Sequence, residues 1–409
     1  MKNKYVYLIL FLAFTVRIVY LFTMVDLNKD DYNEYGYLAQ NIESGRGFSV
    51  NYDITNELRP YFNINEPAYK SAYMPPAYVY YLVAFMHIDN IKLRNILLYS
   101  SQIILSILCI VLLYKLTNLM FNKRVALISI LIYALLPELI YVVAIPNSII
   151  HFHILLLLIL YYTYKYHLEE RFIYNIYITI CFALGIYFRS DFALFLAFYV
   201  LVLIYQKRPK LAFIIFVISM SLLLPWQIRN YMIFNKYVFL TTNSGFNLYR
   251  GHYNGDDYNM HIEPKVFDEL KKNIENKDFD IIQNTIYTKY AIEHIKVHIL
   301  TATLDGFTNI LKFIFIQYRD PRSINPFYLI PWLLMLPLSI YGFLQAKRSY
   351  LNAYIILFIV SNLITIFIFF AIPRYQTLAK IILLPYMAYS IAFLLDKTPY
   401  FNKATKKIE

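Results

Sequence analysis

Long runs of apolar residues recur along almost the whole of this sequence, and they restrict the folds open to it. The first extends from Tyr5 to Val25 and is interrupted by one charge, Arg17. Hydrophobic residues make up 59% of the 409 residues and charged residues only 16%, which is too apolar for a soluble chain of this length. Within a bilayer, a helix of about 20 apolar residues satisfies its own backbone polar groups. The sequence therefore predicts an all-α polytopic membrane protein.

About ten of these runs approach the length needed to cross a bilayer. They lie at residues 5–25, 95–118, 125–143, 148–165, 172–188, 192–206, 210–226, 327–345, 351–371 and 377–395. The run at residues 77–88 is too short to cross, and we expect it to lie at the membrane surface. With that assignment the basic loop at Lys123 and Arg124 falls inside, as the positive-inside rule requires. We therefore expect both ends of the chain inside.

The net charge of +12 does not indicate nucleic-acid binding. Most Lys and Arg residues lie in short loops between apolar runs, where they orient the helices and contact lipid headgroups. We therefore expect membrane lipids as partners and no nucleic acid. Cys109 and Cys181 lie inside apolar runs, which indicates neither a disulfide framework nor a metal knuckle. The first run has no small-residue cleavage site and should be retained as an anchor.

Two polar regions interrupt the apolar runs. We name residues 26–93 the first outer loop and residues 227–326 the outer insert. They divide the chain into a membrane catalytic module at residues 1–226, the insert, and C-terminal spans with a basic inside tail at residues 327–409. Apolar residues recur at helical spacing from Asp278 to Phe315. The part from Leu300 onward predicts a half-buried helix or one lying at the membrane interface.

The first outer loop opens with an acidic segment, which follows the first span directly. Asp31, Glu34 and Tyr35 are spaced three and four residues apart, which would place them on one face of a short helix. Asp30 lies four residues before Glu34, on an adjoining face. Carboxylates crowded at a low-dielectric boundary repel one another, which raises their pKa and suits proton transfer. The alternative is a solvated acidic turn after a helix.

The expected topology brings several more charges to the same side as this segment, most of them at or near helix ends. They are Arg59, Arg94, Arg189, Asp191, Arg229 and Arg374. The planar fork of arginine holds phosphate oxygens bidentately, and its charge does not titrate away. This arrangement suits an anionic, lipid-linked substrate and a general base. Each arginine alone could instead anchor its helix at the headgroups, while Arg17 either snorkels or faces a polar cavity.

These segments resemble the GT-C fold glycosyltransferases, in particular the protein O-mannosyltransferases and the lipid A aminoarabinose transferases. The matching segments are Asp31-Tyr-Asn-Glu-Tyr35, Leu38-Ala39, Gly45-Arg-Gly-Phe48, Pro75-Pro-Ala-Tyr78, Arg189-Ser-Asp191, Pro225-Trp-Gln-Ile-Arg-Asn-Tyr231, Gly245-Phe-Asn-Leu-Tyr-Arg-Gly251 and Pro373-Arg-Tyr375. No single motif is specific, but their order and sidedness cover nearly the whole chain. The resemblance implies a GT-C-like helical bundle in the plasma or inner membrane, with its active site at the outer face.

The resemblance also implies the chemistry: a polyprenyl-phosphate sugar donor, no nucleotide, and inversion at the sugar carbon. Asp31 matches the catalytic base, because Tyr35 and Ala39 follow it by four and eight residues. Asp30 is the second choice for the base, and Glu34 completes the acidic group.

The metal requirement is left open. Related enzymes often carry a second acidic residue after the third span, near a metal or the donor phosphate. Here the loop from Ala144 to His151 contains no carboxylate, and the nearest one is Glu138. Asn147, His151 or His153 could substitute, although two histidines two residues apart would not share a helix face.

The remaining polar residues receive two expected roles. The leaving phosphate should be held by Arg374, Arg229 and Arg189, with Arg94 and Lys380 as further candidates. Substrate contacts are expected from Tyr35, Arg59, Tyr78, Asp191 and Tyr375. The acceptor is left open between protein, lipid and glycan.

Two other functions fit the same composition. A transporter or flippase for a lipid-linked or anionic solute would line a path with charges inside its spans. Against it, the charges gather at one face and no inverted repeat is evident. A polymerase or ligase of lipid-linked glycans would share the outer-face chemistry.

Overall fold

The computed structural model describes residues 4–53, 59–253, 262–347 and 349–397, and helices account for most of them. The end of the basic tail beyond Lys397, which was expected inside, lies outside the described residues. The chain begins with α1 (Lys4–Met24), followed in the first outer loop by α2 (Asn33–Glu43) and α3 (Pro76–Met86).

Between α2 and α3 the first outer loop forms a small antiparallel sheet that the sequence analysis did not anticipate. Its strands are β1 (Ser49–Asp53), β2 (Arg59–Tyr61) and β3 (Tyr69–Lys70), in the order β2-β1-β3. Asn51 pairs with Tyr61, and Ser49 pairs with Lys70. Strands this short carry too little alternation to be recognised in a sequence.

The segment Gly45-Arg-Gly-Phe48 forms a turn between α2 and β1. Gly45 and Gly47 have φ angles of +79° and +71°, a conformation that costs a residue with a side chain more than it costs glycine. The Gly45 amide donates to the carbonyl of Ile42 at the end of α2, and the chain then turns into β1.

The central helices form most of the bundle. They are α4 (Ile91–Met120), α5 (Lys123–Leu135), α6 (Pro137–Tyr141) with a 3-10 turn at Val142–Ala144, α7 (Ile149–Glu169), α8 (Ile173–Phe188), α9 (Phe192–Tyr205), α10 (Pro209–Ser221) and α11 (Leu224–Phe234). The outer insert contains α12 (Ser244–His252), α13 (Pro264–Lys272), α14 (Phe279–Val297), α15 (Ile299–Ile314) and α16 (Pro321–Ile324). The chain ends with α17 (Pro326–Gln345), α18 (Tyr350–Ile368) and α19 (Pro373–Lys397). The helix expected from Asp278 to Phe315 is therefore present, divided at His298 into α14 and α15.

In the described residues, six helices are long and apolar enough to cross a membrane: α1, α4, α7, α17, α18 and α19. The count rises to eight if two bent pairs are each one span, α5 with α6 (62°) and α10 with α11 (42°). The other two expected spans correspond to α8 and α9, apolar helices of 16 and 14 residues. All ten expected spans thus coincide with helices, and the protein is an integral membrane protein. The expected surface segment is α3, whose 11 residues are too few to cross.

The predicted grouping of loops at two ends of the bundle is seen in the ion pairs. Near the start of α4, Arg94 pairs with Asp30 of the first outer loop. Beyond the other end of α4, Arg124 pairs with Asp396 at the end of α19. Because α4 has 30 residues and rises about 1.5 Å per residue, these two pairs mark opposite ends of the bundle. Which end faces outside stays a prediction.

Arg17 lies fully buried inside the bundle and caps a broken helix. Its guanidinium donates to the carbonyls of Tyr133 (3.3 Å) and Ala134 (3.0 Å), and Nε donates to Ser106 Oγ (3.0 Å). Pro137 begins α6 and has no N–H to donate to the carbonyl of Tyr133 four residues earlier. The arginine therefore satisfies the carbonyls left at the end of α5. Neither expectation for Arg17 was right, since it neither snorkels nor faces a polar cavity.

Candidate active site

The candidate site is centred on Tyr35 in α2, where segments from distant parts of the chain meet. The Tyr35 ring contacts the edge of the Tyr78 ring, with centroids 5.0 Å apart. Its hydroxyl interacts electrostatically with Arg189 and Arg374 and is influenced by the nearby Ser148 side chain. Burial raises the pKa of Tyr35, so the phenol stays neutral and can donate a hydrogen bond. The first outer loop and the ends of α7, α8 and α19 therefore converge here.

Arg189 occupies the tight turn between α8 and α9 and is firmly held. Its Nη2 lies 2.8 Å from Asp191 Oδ2, and its Nε lies 3.2 Å from both carboxylate oxygens. The guanidinium also lies 5.6 Å from the Phe152 ring and 5.7 Å from the Tyr375 ring. The bidentate carboxylate and the two rings fix the plane of the fork. The predicted neighbours Arg189, Asp191 and Tyr375 are thus in contact.

Arg374 differs from the other predicted phosphate ligands, because its side chain is exposed in the first turn of α19. Its guanidinium lies 6.0 Å from the centre of the Tyr375 ring. In the part of the chain that the structure describes, no ion pair joins Arg374 to a carboxylate. A guanidinium in this state keeps its donors for a ligand.

The acidic segment does not have the geometry that its spacing predicted. The α2 helix begins only at Asn33, which adopts a left-handed φ of +54°. Asp31 therefore precedes the helix, and its predicted sharing of a face with Glu34 and Tyr35 was wrong. Asp31 forms an ion pair with Lys29 (2.9 Å), and its Oδ1 accepts from the Asn33 amide (3.0 Å).

The predicted rise in carboxylate pKa was also wrong for Asp31. The hydrogen bond from Lys29 is the largest influence and lowers the pKa of Asp31 below its ordinary 3.8, although burial acts in the opposite direction. The neighbouring cation thus outweighs the effect of burial on the pKa of Asp31. At neutral pH Asp31 is ionised and able to accept a proton.

The other two carboxylates have different surroundings. Asp30 is bound to Arg94 Nη1 at 2.9 Å, while Arg94 Nε donates to the carbonyl of Ile88. Glu34 lies half-buried in the first turn of α2 and interacts electrostatically with Tyr35 and Tyr73. Glu34 therefore lies near Tyr35 and Tyr73, whereas the ion pair of Asp30 with Arg94 joins the acidic segment to α4.

Arg229 binds the first outer loop. Its Nη1 donates to the carbonyl of Ser71 (2.7 Å), and its Nη2 donates to the carbonyl of Phe48 (3.1 Å). Its guanidinium also stacks 4.7 Å from the Trp226 ring. These contacts hold the loop against α11, and none of them involves Arg374.

Lys380 lies deep in the bundle, fully buried, and forms an ion pair with Glu138 of α6. Its ammonium group also lies 4.2 Å from the centre of the Tyr328 ring. A buried charge is stable only when it is paired in this way. Sequence analysis noted both residues but missed that they are partners.

Substrate contacts were also predicted for Tyr78 and Arg59. Tyr78 is fully buried, and its hydroxyl donates to Gln102 Oε1 at 3.1 Å. This hydrogen bond holds the ring that packs against Tyr35. The backbone of Arg59 lies in β2, opposite Asp53 of β1.

The three residues considered as substitute metal ligands do not form a metal site. Asn147 donates to the carbonyls of Val142 and Ile145. His151 lies between aromatic rings, stacked 4.7 Å from Phe188, and His153 uses Nε2 on the carbonyl of Thr377. No group of three or more His, Cys, Asp or Glu residues in the described ranges could hold a metal ion. These residues do not fit a metal, and no step of the chemistry below depends on one.

Asp280 is an organising residue that the sequence analysis missed. Buried in the first turn of α14, it accepts hydrogen bonds from the Tyr52 hydroxyl (2.6 Å), the Ser71 hydroxyl (3.1 Å), the Ala72 amide (3.0 Å) and the Thr242 hydroxyl. Burial raises its pKa, while these hydrogen bonds oppose the rise. Asp280 thus joins the outer insert to the first outer loop behind the site. An acidic residue at a helix start is too common for the sequence to indicate this role.

Comparison with known proteins identifies the fold. Residues 73–228 match the family model described as dolichyl-phosphate-mannose-protein mannosyltransferase. The chain also superposes on the archaeal oligosaccharyltransferase AglB from Archaeoglobus fulgidus, in complex with an inhibitory peptide and a dolichol-phosphate. The TM-score is 0.60 and the identity 14%, over 100% of this chain and 52% of AglB. No curated protein matches.

Two further structures add context. The oligosaccharyltransferase from Archaeoglobus fulgidus in complex with zinc and sulfate gives a TM-score of 0.56 at 16% identity, over 96% of this chain and 49% of that one. ArnT from Cupriavidus metallidurans bound to undecaprenyl phosphate gives a TM-score of 0.42 at 13% identity, over 97% of this chain and 80% of ArnT. The chain spans about half the length of the oligosaccharyltransferase. It is therefore a membrane protein with the predicted GT-C fold, whose residues 73–228 match the mannosyltransferase family.

Proposed function

We propose that the protein is a glycosyltransferase that moves a monosaccharide from a polyprenyl-phosphate donor to an acceptor at the outer face of the cell membrane. The observation that carries this proposal is Arg374, an exposed guanidinium beside Tyr35, Tyr375 and the Arg189–Asp191 pair. An unpaired arginine at the end of a membrane helix suits a lipid phosphate. The family match over residues 73–228 and the dolichol-phosphate complex of AglB support the same donor class.

The reaction needs a base and a site for the leaving phosphate. Asp31, ionised at neutral pH, takes the proton from the acceptor's hydroxyl or amine as that atom attacks the sugar carbon. The bond from this carbon to the phosphate oxygen breaks, and the electron pair leaves with the polyprenyl phosphate. Attack from the side opposite the phosphate inverts the sugar carbon. A positioned base contributes about 10²–10⁴-fold to the rate.

Arg374 holds the leaving phosphate in this proposal, and Arg189 lies within reach of the same position. Fixed cations aimed at developing charge need no reorganisation during the reaction. Tyr35 interacts electrostatically with both arginines, and its hydroxyl can donate a hydrogen bond to a phosphate oxygen. The predicted phosphate contacts of Arg94, Arg229 and Lys380 require their present partners to be released.

The test uses purified protein in lipid vesicles with a radiolabelled polyprenyl-phosphate monosaccharide on the outside. Release of unlabelled polyprenyl phosphate, with the label on a second molecule, is the expected result. Movement of intact donor to the inner leaflet would instead identify a flippase. Growth of a lipid-linked glycan chain would identify a polymerase. Inactive Arg374→Ala protein provides the control for spontaneous hydrolysis.

A further inference from the structure

The outer insert carries an apolar stripe that the proposed reaction does not use. Leu300, Leu304, Phe307 and Leu311 of α15 are exposed by 79%, 65%, 56% and 54%. Spacings of four, three and four residues place them on one face of the helix. A row of large apolar side chains this exposed marks a surface that another phase or molecule covers.

The opposite face of α15 packs against the bundle near the end of α18. Gly306 packs against α18 so closely that an added Cβ would lie 2.7 Å from the Phe367 ring. Asn309 Nδ2 donates to the carbonyl of Phe369 at 3.3 Å. The span α18 ends at Ile368. The helix α15 therefore packs against the end of a helix that is long and apolar enough to span a membrane.

Polar side chains border the stripe on both sides. The exposed threonines Thr301 and Thr308 lie on one side, followed around the helix by Asp305 and Lys312, and the exposed Thr303 lies on the other side near Ile314. The Thr301 side is the more polar, because it alone continues into charged residues. An apolar stripe with polar borders suits the boundary between water and hydrocarbon.

The apolar surface continues from α15 onto a membrane span. Trp332 Nε1 of α17 donates to the carbonyl of Ile314, which joins the two helices. Next to Trp332, the side chains of Leu333 and Leu334 are exposed and apolar. Since α17 is long and apolar enough to cross the membrane, lipid covers these residues, and the stripe extends the same surface.

We propose that α15 lies in the outer leaflet of the membrane, with the stripe in the acyl chains and the Thr301–Thr308 edge toward the headgroups. The helix is also fastened beside the candidate site, because Gln376 Nε2 donates to the carbonyls of Phe313 (2.6 Å) and Phe315 (3.4 Å) at its end. Gln376 lies two residues after Arg374 in α19. Hydrogen bonds thus join the helix that faces lipid to α19, the helix that carries Arg374.

The experiment compares Leu300→Cys with Thr301→Cys, two exposed neighbours whose side chains point about 100° apart around the helix. Both native cysteines are buried, so the background is low. In phosphatidylcholine nanodiscs, a charged thiol reagent should modify the cysteine at 300 roughly tenfold or more slowly than that at 301. After unfolding in SDS the two rates should be equal. Equal rates in nanodiscs would overturn the proposal.

A second measurement separates lipid from a second copy of the chain as the occupant. Each variant carries a bimane label and is reconstituted with phosphatidylcholine bearing a nitroxide on its acyl chain. The label at 300 should be quenched strongly and the label at 301 weakly. Protection at 300 without quenching would show that protein covers the stripe, which would also overturn the proposal.

Discussion

At the scale of single residues, the charges at the candidate site differ in what already holds them. Arg189 is bound by Asp191, Arg94 by Asp30 and Arg229 by two backbone carbonyls. Arg374 is exposed, and its guanidinium lies 6.0 Å from the centre of the Tyr375 ring. Among the residues that the structure describes, no carboxylate pairs with Arg374, so a ligand there need not displace one. A ligand at the other three arginines must compete with protein groups.

Replacing Arg374 by lysine tests whether its fork binds the donor phosphate. A headgroup anchor needs only positive charge, so Arg374→Lys would then be silent. A bidentate phosphate ligand loses a charge-assisted hydrogen bond, and donor binding should weaken by about 1.5–3 kcal/mol. Competition with free polyprenyl phosphate measures the affinity. The matched variant Arg229→Lys should lower the melting temperature with little change in affinity, because its donors hold the first outer loop. Unchanged affinity in Arg374→Lys would leave Arg374 as a headgroup anchor.

The two neighbouring aspartates provide a second test. We expect Asp31→Asn to abolish transfer while expression and donor binding stay near normal. Asp30→Asn should reduce activity less, since Asp30 serves mainly to hold Arg94. Turnover of radiolabelled donor is the measurement. If the severities were reversed, Asp30 would be the base; if both variants stayed active, the transferase proposal would fail.

The pH profile tests the same base independently. The hydrogen bond from Lys29 lowers the pKa of Asp31, so its carboxylate is present at every pH above the ordinary value of 3.8. The base form is lost only as the pH falls through that lowered pKa. We therefore expect kcat/KM to be flat from about pH 7 down to about pH 5. An acid limb near pH 6 would point to a group with a raised pKa and away from Asp31.

The sequence predicted the chemistry of a residue where that chemistry depends on residue type. It did not predict the chemistry that depends on a partner far away in the chain. Arg189, Asp191 and Tyr375 were expected at one site and lie in contact. Lys380 was noted as unusual within a span, but its partner Glu138 is 242 positions away in sequence. No local pattern connects two such residues.

At the scale of elements, the break between α5 and α6 shows how a proline and an arginine act together. Pro137 removes the amide that would bond to the carbonyl of Tyr133, and Arg17 of α1 supplies a replacement donor. The sequence predicted one span at residues 125–143, whereas the pair is bent by 62°. A proline indicates that a helix ends or bends, but the donor that makes the bend tolerable comes from elsewhere in the chain.

Removing the Arg17 side chain tests this capping role. Arg17→Leu leaves the carbonyls of Tyr133 and Ala134 without a donor, at a cost of about 1–3 kcal/mol for each buried group. In the Pro137→Ala background the new amide can serve the Tyr133 carbonyl, so the same substitution should cost less. Melting temperatures of the four proteins in nanodiscs give the coupling energy. Equal costs in both backgrounds would contradict the capping role.

At the scale of the whole molecule, the contacts sort the loops into two groups at opposite ends of the bundle. The first outer loop, the α8–α9 turn and the start of α19 meet at Tyr35. The α4–α5 turn meets the end of α19 through Arg124 and Asp396. The sequence predicted this grouping because apolar length and charge sidedness are properties of whole segments. It did not predict the sheet, or that α2 starts after Asp31, since both depend on a few residues in a turn.

Labelling cysteines at the two ends of α4 tests the orientation. The side chains of Asn90 and Asn122 cap α4 and α5, so replacing them would disturb the helix starts. The cysteines are therefore placed at the neighbouring exposed positions Asp89 and Lys123. In intact cells a membrane-impermeant reagent should label Asp89→Cys, while Lys123→Cys should require permeabilised cells. Labelling of both from the same side would contradict the predicted topology.

The shortness of α8 and α9 has a consequence for the bilayer itself. With 16 and 14 residues they extend about 24 and 21 Å, against a hydrocarbon core of about 30 Å. If both helices cross, as the topology predicts, the membrane beside them must thin to match. The turn that joins them carries Arg189 and Asp191, so the dip forms at the candidate site. A lipid phosphate arriving there would sit nearer the bilayer midplane than its neighbours. Activity should then fall as the acyl chains of the surrounding lipid are lengthened.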